Sequence, residues 1–254
     1  KIMKNVIITS GGTREKIDEA RVISNLSTGK LGSLIADEFM NCGFVKNVFY
    51  ICGKNSFKPQ NKFIKIFEIE NVENLKSTID KLVKEISVDV FVHSMAVSDY
   101  KISSVISIDD LSKCIFENIN KISNENVLKE IIFEIFQNEN LISDSKKISS
   151  RLINPIMLLN NNLKIISTLR NKIPKAKIIG FKLLSNICEQ ELLNVAYNLL
   201  VKNNCDYVLA NDSSCITEFK HKGYLIDKNK NFKIFETKKE IAKGIVDEVL
   251  KGDF

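Results

Sequence analysis

The chain has 254 residues, of which 44% are hydrophobic and 27% are charged, a balance that excludes a wholly disordered chain, collagen and a coiled coil. Its 37 basic and 31 acidic residues give a net charge of +6. This excess is scattered along the sequence, so it permits an anionic ligand without requiring nucleic acid. No apolar run approaches the ~20 residues of a membrane span, so we expect no membrane partner.

Cysteine and histidine usage limits the metal chemistry that this chain can support. Six cysteines and two histidines are present, and no two cysteines have the C-x-x-C spacing. A zinc site is therefore not predicted. The cysteines are typical of free thiols in a reducing compartment, and no signal-peptide pattern opens the sequence. We predict a cytoplasmic protein.

Short apolar runs alternate with amphipathic stretches along most of the chain. In chain order, we predict strand Val6–Thr9, helix Gly29–Met40, strands Val45–Cys52 and Phe63–Ile69, helix Asn71–Ile86, strands Asp89–His93 and Lys177–Phe181, helix Glu189–Lys202, strand Asp206–Ala210, a hairpin of Tyr224–Asp227 with Phe232–Phe235, and a last helix capped by Thr237–Glu240. This alternation predicts an α/β fold, with a Rossmann-like, mostly parallel sheet and helices on both faces.

The middle of the chain interrupts this alternation. Residues 101–146 contain no Gly and no Pro; Val127–Phe136 has a helical pattern, and residues 147–160 have an extended one. No Pro- or Gly-rich linker separates two halves. We therefore predict a single domain over residues 1–254 with an inserted excursion at about residues 101–160.

Small and polar residues follow several predicted strands. Ligands of open α/β sheets bind beyond the carboxyl ends of the strands, where Ser10–Arg14, Ser94–Tyr100, Phe181-Lys182 and Asn211-Asp212 lie. The adjacent Gly11 and Gly12 can bring backbone N–H groups close to an anion, although glycine pairs also serve plain turns. These positions are candidates for a ligand site.

Neither familiar phosphate motif is complete in this sequence. G-x-G-x-x-G is not met, and Ser27-Thr-Gly-Lys30 lacks the earlier Gly and the following Ser or Thr of a P-loop. A Ser-Thr-Gly-Lys loop that opens a helix still favours phosphate, because the helix start and the lysine are both positive. Arg21 and Asn25 add donors nearby in the sequence. The residues by themselves indicate an α/β domain that binds an anion such as a nucleotide.

The combination of segments is more specific than any one of them. Thr9–Asp18 followed by Arg21–Gly32 closely resembles the opening of the phosphopantothenoylcysteine synthetase family. The resemblance continues, in family order, at Met95–Tyr100, Lys147–Ser150, Ile179–Leu183 and Asp206–Asp212. It spans nearly the whole chain except residues 101–145 or so.

The resemblance implies a stand-alone bacterial-type ligase without a flavin decarboxylase domain and without flavin. Its substrates would be 4′-phosphopantothenate and L-cysteine, joined through an acyl-nucleotidylate intermediate in coenzyme A biosynthesis. CTP is the expected co-substrate, with ATP as the alternative, and Mg²⁺ is expected to assist through the phosphates. The family also implies a homodimer in which the excursion serves as a flap and a dimer contact.

The resemblance also assigns roles to individual residues of this sequence. Lys147 corresponds to the lysine of the activation half-reaction, Asn25 to the asparagine needed after activation, and Arg21 to an arginine of the same loop. The implied nucleotide-binding positions are Gly11, Gly12, Thr13, Met95, Ala96, Val97, Asp99, Asn162, Lys164, Phe181 and Lys202. The implied substrate-phosphate positions are Ser27, Thr28, Gly29 and Lys30. The Met95–Val97 loop is expected to read the base partly through backbone groups.

Several departures from the family pattern and several other functions stay open. Asn162-Leu163-Lys164-Ile165 lacks a proline that many members carry, Lys147–Ser150 lacks further lysines, and Lys202 stands alone where members often have two lysines. An NAD(P)-binding oxidoreductase is the main alternative, which the missing dinucleotide fingerprint disfavours. A nucleic-acid binder is a third alternative, but it predicts a clustered basic face, whereas the charges here are scattered. A non-catalytic family member is a fourth, which the presence of Asn25 and Lys147 disfavours.

Overall fold

Two compact units make up the described residues of the computed structural model, which are 4–138, 153–217 and 219–251. The sheet unit comprises the described residues within Lys1–Thr13, Asn25–Val97 and Lys164–Phe254. The second unit comprises those within Arg14–Ser24 and Ser98–Leu163. The second unit is therefore assembled from two stretches that lie far apart in the sequence.

The described residues form twelve strands and seven α-helices. The strands are β1 (Lys4–Ser10), β2 (Arg14–Lys16), β3 (Val22–Ser24), β4 (Val45–Gly53), β5 (Lys65–Ile69), β6 (Val90–His93), β7 (Tyr100–Ser107), β8 (Pro155–Asn161), β9 (Lys177–Leu184), β10 (Tyr207–Asp212), β11 (Gly223–Asp227) and β12 (Phe232–Phe235). The helices are α1 (Lys30–Asn41), α2 (Val72–Glu85), α3 (Ile108–Glu117), α4 (Glu125–Gln137), α5 (Ile165–Lys172), α6 (Glu189–Asn203) and α7 (Lys238–Val249).

An eight-stranded sheet organises the first unit, in the order β12-β11-β10-β9-β6-β1-β4-β5. The six neighbouring strands from β10 to β5 in this order are parallel, and β11 and β12 add an antiparallel hairpin at one edge. The chain runs outward from β1 to β5, then returns to place β6 on the other side of β1. This reversal makes the carboxyl ends of β1 and β6 the topological switch point, where open α/β sheets bind ligands.

Helices cover both faces of this sheet, which confirms the predicted fold class. The side chains of α2, α5 and α6 pack into one core with Ile7, Phe91 and Ile178. The side chains of α1 and α7 pack into a second core with Ile8, Val92 and Ile179. Neighbouring residues in the middle of each central strand thus enter opposite cores, so these segments are buried on both faces and are apolar.

Helix starts in the sheet unit follow their sequence signals. The Asn71 side chain accepts a hydrogen bond from the Asn74 N–H at 2.9 Å, and Thr237 accepts one from the Glu240 N–H at 3.2 Å. Both predicted caps are confirmed, because each supplies an acceptor to a backbone N–H that the helix leaves unpaired. The start of α1 is different, since Gly29 precedes it with φ 76° and no side-chain cap.

Two antiparallel strand pairs and two helices form the second unit. β2 pairs with β3, β7 pairs with β8, and Ile106 of β7 packs against Ile131, Ile135 and Phe136 of α4. The predicted helix at Val127–Phe136 is confirmed, and the extended pattern is confirmed at β8, while residues 147–152 lie outside the described residues. Strand β7 and helices α3 and α5 were not predicted. Whether the chain is one domain with an excursion stays a prediction.

Candidate active site

The loops that follow β1 and β6 are joined by hydrogen bonds at the switch point. Gly12 and Ala96 form a parallel bridge: the Ala96 N–H donates to the Gly11 carbonyl at 2.8 Å, and the Thr13 N–H donates to the Ala96 carbonyl at 3.2 Å. The parallel ladder therefore extends beyond the strands themselves. This fixes Gly11, Gly12 and Thr13 against the Met95–Val97 loop, so six predicted nucleotide-binding residues lie together.

Glycine at position 12 allows the backbone of Asn25 to approach this loop. A Cβ added to Gly12 would lie 2.6 Å from the Asn25 carbonyl oxygen, closer than such a contact permits. Gly11 has φ 80°, which favours glycine, and a Cβ there would lie 1.7 Å from the Ser56 Oγ. The two glycines therefore serve close packing as well as turn geometry, and they place Asn25 beside the switch point.

The Ser27–Lys30 segment leads from Asn25 into α1. The Ser27 N–H donates to the Asn25 carbonyl at 3.0 Å, and the Ser33 N–H donates to the Gly29 carbonyl at 3.0 Å. Helix α1 has neither a side-chain cap nor an acidic residue in its first turn. Its positive end is thus not offset by a carboxylate of that turn, and Lys30 adds a formal charge. Such an arrangement favours an anion.

A buried histidine supports the switch point from inside the sheet. The Thr9 hydroxyl and the His93 Nδ1 are 2.7 Å apart, and the Ser94 hydroxyl donates to the Thr9 carbonyl at 2.7 Å. Burial lowers the pKa of His93 to about 4, so the imidazole is neutral near pH 7. These bonds link the ends of β1 and β6 directly beneath the two loops.

The second unit contains three further predicted site residues, and each has a defined local setting. The guanidinium of Arg21 pairs with the buried carboxylate of Asp18 at 2.9 Å. Asn162 donates through its side chain to the Ser98 carbonyl at 3.1 Å and through its backbone to the Asp99 carbonyl at 2.8 Å. Asn162 therefore holds the backbone of Ser98 and Asp99 in place.

Comparison with known proteins identifies the family. Residues 2–142 and 136–252 match the family described as the DNA/pantothenate metabolism flavoprotein C-terminal domain. The chain belongs to this family. The family resemblance stated from the sequence motifs is thereby confirmed, and the fold follows from family membership.

Several relatives show how far this domain family extends along the chain. The coenzyme A biosynthesis bifunctional protein CoaBC of Methanocaldococcus jannaschii is 32% identical over 253 residues, covering 97% of this chain and 50% of the relative. The chain thus spans about half the length of the curated relatives it matches. The DNA/pantothenate metabolism flavoprotein of Streptococcus pneumoniae has a solved structure with 32% identity and a TM-score of 0.77, covering 97% of this chain and 98% of that one.

A more distant solved structure shares the fold of this family domain. A Cab2 mutant in complex with phosphopantothenate-cysteine has a TM-score of 0.68 and 17% identity, covering 97% of this chain and 85% of that one. Identity at this level shows the fold alone.

No helix among the described residues has the length and apolarity to cross a membrane, and none of their His, Cys, Asp and Glu side chains form a three-residue metal cluster.

The remaining predicted site residues of the family domain occupy different places. Lys164 is the N-cap residue of α5, and Phe181 lies half-buried in β9, where it packs against the core beneath α1 and α7. Lys202 is exposed in the last turn of α6, which leads into the amino end of β10. Lys202 thus lies at the sheet edge opposite the switch point. Lys147 lies outside the described residues, and all these roles stay predictions.

Sequence reasoning missed several residues that contact the predicted ones. The turn at Asp18 had a signal that was available, because an Asp side chain commonly accepts hydrogen bonds from backbone N–H groups a few residues later, here those of Ala20 and Arg21. Ser56 and Phe57, by contrast, follow β4 in a polar stretch with no motif. Their approach to Gly11 and Thr28 depends on the fold, so no local pattern could have indicated it.

Proposed function

We propose that this domain joins 4′-phosphopantothenate to L-cysteine through an acyl-nucleotidylate, with CTP as the co-substrate. The observation that carries the proposal is the switch-point cluster, where Asn25 packs on Gly12 and continues into the open start of α1. Family membership supports the reaction class, as do relatives named for coenzyme A biosynthesis and a fold neighbour described in complex with phosphopantothenate-cysteine.

The first half-reaction brings two anions together. The carboxylate of 4′-phosphopantothenate attacks the α-phosphate of the nucleotide, a P–O bond forms, and pyrophosphate leaves. Catalysis is therefore positioning and charge neutralisation. We assign the triphosphate to the Gly11–Thr13 backbone, Lys147 and Lys164, with Asp99, Asn162 and Phe181 as further nucleotide positions, and Mg²⁺ carried by the phosphates. Lys202, which lies at the opposite edge of the sheet, has no part in this assignment. The start of α1 with Ser27, Thr28, Gly29 and Lys30 takes the phosphate of the acyl substrate.

The second half-reaction forms the amide. The cysteine amine attacks the acyl carbonyl, the C–N bond forms, the amine loses a proton, and the nucleoside monophosphate leaves with the C–O bond electrons. The Asn25 amide is a neutral donor suited to the carbonyl oxygen on which negative charge develops. We assign Arg21 to the same intermediate, with its guanidinium held by Asp18.

Few backbone groups of the Met95–Val97 loop are available to recognise the base of the nucleotide. The Ala96 N–H already donates to Gly11 and its carbonyl accepts from Thr13. A base that needs a backbone N–H of the Met95–Val97 loop would therefore use Met95 or Val97, whereas the Ala96 carbonyl has a second lone pair and can still accept. Backbone contacts of this kind leave no side-chain signature, so the choice of CTP over ATP rests on the family alone.

The proposal extends to assembly and compartment. We propose a cytoplasmic homodimer in which the excursion at about residues 101–160 supplies the dimer contact. Large apolar side chains of the second unit support this surface, since Phe116 is 72% exposed and Phe133 and Ile119 are each 51% exposed. Exposed apolar groups mark a surface that is covered in an assembled protein when they form one contiguous patch.

Pyrophosphate release tests this function most directly. We expect release from purified protein with 4′-phosphopantothenate, Mg²⁺ and L-cysteine, run in parallel with CTP and ATP. Lys147→Ala should abolish release, whereas Asn25→Asp should permit one turnover of activation and accumulate the acyl-nucleotidylate. Absence of release with both nucleotides from folded protein would refute the ligase proposal, and binding of NADPH under those conditions would favour the oxidoreductase.

A further inference from the structure

Phe57, which lies outside the predicted site, contacts the phosphate segment Ser27–Lys30 in two ways. The Phe57 N–H donates to the Thr28 carbonyl at 2.9 Å, so the backbones of the two segments are directly joined. The Nζ of Lys30 lies 5.0 Å from the centroid of the Phe57 ring. A single residue therefore contacts both the backbone of the segment and the tip of its charged side chain.

The ring contact determines where the Lys30 charge is held. An ammonium over an aromatic face is attracted by the ring quadrupole but keeps its full charge. Within the described residues, Lys30 forms no ion pair, so no carboxylate competes with an incoming anion. Phe57 itself is 51% exposed, so its ring lies at the surface, where the Lys30 ammonium contacts it. The Phe57 ring thus keeps the Lys30 ammonium at the start of α1, where it can bind an anion.

Hydrogen bonds from Tyr50 and Ser10 hold the backbone of Phe57 and of the neighbouring Gly29. The Tyr50 hydroxyl donates to the Phe57 carbonyl at 2.8 Å, and the Ser10 hydroxyl donates to the Gly29 carbonyl at 3.0 Å. Burial raises the pKa of Tyr50, so its hydroxyl is protonated and can donate near neutral pH. Ser56 is packed against Gly11, where no side chain competes for the space. The backbone around Phe57 is therefore held on both sides.

We propose that Phe57 is a positioning residue that holds the Lys30 ammonium for the phosphate monoester of the acyl substrate. This inference rests on the proposed function, because it requires 4′-phosphopantothenate to place its phosphate at the start of α1. Phe57 acts through Lys30 and does not touch the reacting atoms. The ring can be replaced by another aromatic face without loss, but not by an aliphatic side chain.

Steady-state kinetics separate this role from a structural one. Phe57→Ala should raise the KM for 4′-phosphopantothenate roughly two- to fivefold, the range expected for loss of an exposed cation–π contact. We expect kcat and the KM for CTP to change less than about twofold, and Phe57→Tyr to restore the wild-type KM. Phe63→Ala is the matched control, since Phe63 is 80% exposed and lies outside the site.

A double-mutant cycle tests whether Phe57 acts through Lys30. In a Lys30→Met background, Phe57→Ala should have no further effect on the KM for 4′-phosphopantothenate, because the charge that the ring positions is gone. Additive effects, an unchanged KM in Phe57→Ala, or a rise confined to the KM for CTP would each overturn the proposal.

Calorimetric binding of 4′-phosphopantothenate distinguishes this inference from the proposed function. If the wild-type protein neither binds nor ligates this compound, the proposed function itself fails. If the wild-type protein does both and Phe57→Ala binds equally tightly, only the role of Phe57 fails. Thermal unfolding of each variant shows whether a weakened affinity comes with loss of the fold, and Phe57→Tyr retains the packing in either case.

Discussion

The sheet unit and the second unit of this chain differ in how clearly their sequence patterns predict their strands and helices. Central strands of the sheet unit are buried on both faces, so β1 and β6 contain the continuous apolar runs Val6–Ile8 and Val90–Val92. Strand β8 of the second unit alternates between exposed and half-buried residues, and its sheet has two strands. In a strand buried on both faces every residue is apolar, so the sequence pattern is strong. In a hairpin covered on one face only every second residue is apolar, so the pattern is weaker.

The loop after β1 that contains Gly11 and Gly12 is the part of the sheet unit where we expect a substitution to reduce activity most. Gly12→Val would drive its side chain into the Asn25 carbonyl oxygen, which lies 2.6 Å from the place that a Cβ at position 12 would occupy. We expect ligation to fall at least about a hundredfold, because a displacement of about 1 Å at a reacting centre has that effect. Turnover assays check this, with Gly43→Asn as control, since Gly43 has φ 78° and no neighbour within 4 Å. Wild-type turnover in Gly12→Val would contradict the packing argument.

The buried His93 makes the stability of the sheet unit depend on pH. Its pKa is about 4 when folded against 6.5 in the unfolded chain, so the unfolded state binds the proton first. The free energy of unfolding should be highest above pH 6.5 and fall as the pH drops toward 4, by about 3 kcal/mol in all from this group. Urea unfolding at several pH values measures this fall. His93→Asn should remove only the part of the fall that this group contributes, because burial also lowers the pKa of His221 to about 4. An unchanged slope would show that the His93 imidazole is not a source.

A network at the amino edge of the sheet supports the same unit far from the candidate site. Arg170 donates to Asp206 at 2.8 Å and to the Ala176 carbonyl at 2.8 Å. Burial opposes ionisation of Asp206, but hydrogen bonds from Lys228, Ile178 and Arg170 keep the pKa of its carboxyl below the usual value.

Removing the guanidinium of this network should destabilise the fold without removing a site residue. Arg170→Met should lower the free energy of unfolding by about 2 kcal/mol, since several part-buried acceptors lose their donor. Chemical denaturation measures the change. Lys81→Met is the control, because its pair with Glu85 is exposed and 4.0 Å long, so almost no change is expected. Equal losses in the two variants would refute the role given to Arg170.

Removing a helix cap should have the smallest effect on the free energy of unfolding. It also gives the clearest test of whether the two units open separately. The Ser107 hydroxyl accepts from the Asp110 N–H at 3.0 Å at the start of α3. Ser107→Ala should cost about 1 kcal/mol, and Asn71→Ala at α2 should cost about the same. Hydrogen exchange should show faster opening in residues 98–138 for the first variant and in residues 65–86 for the second. Matching exchange patterns in both variants would mean that the units open together.

Most of the sheet unit was predictable, and most of the second unit was not. The strands at Val45 and Val90 and the caps at Asn71 and Thr237 were predicted because each depends on local patterns of burial and hydrogen bonding. No element was predicted within residues 14–24, yet they contain β2 and β3 and belong with residues 98–163. Nothing local indicates that association, since it joins stretches separated by more than 70 residues.

The sequence by itself determined the parallel fold, the family and the identity of the candidate site residues. These follow from apolar runs, capping signals and motifs that are short-range properties of the chain. Only the tertiary structure decided that Gly12 packs on the Asn25 backbone, that Ala96 has both backbone groups paired, and that Phe57 lies under Lys30. Contacts of this kind arise where strand ends from distant parts of the chain converge, so they depend on strand order, which no local pattern records.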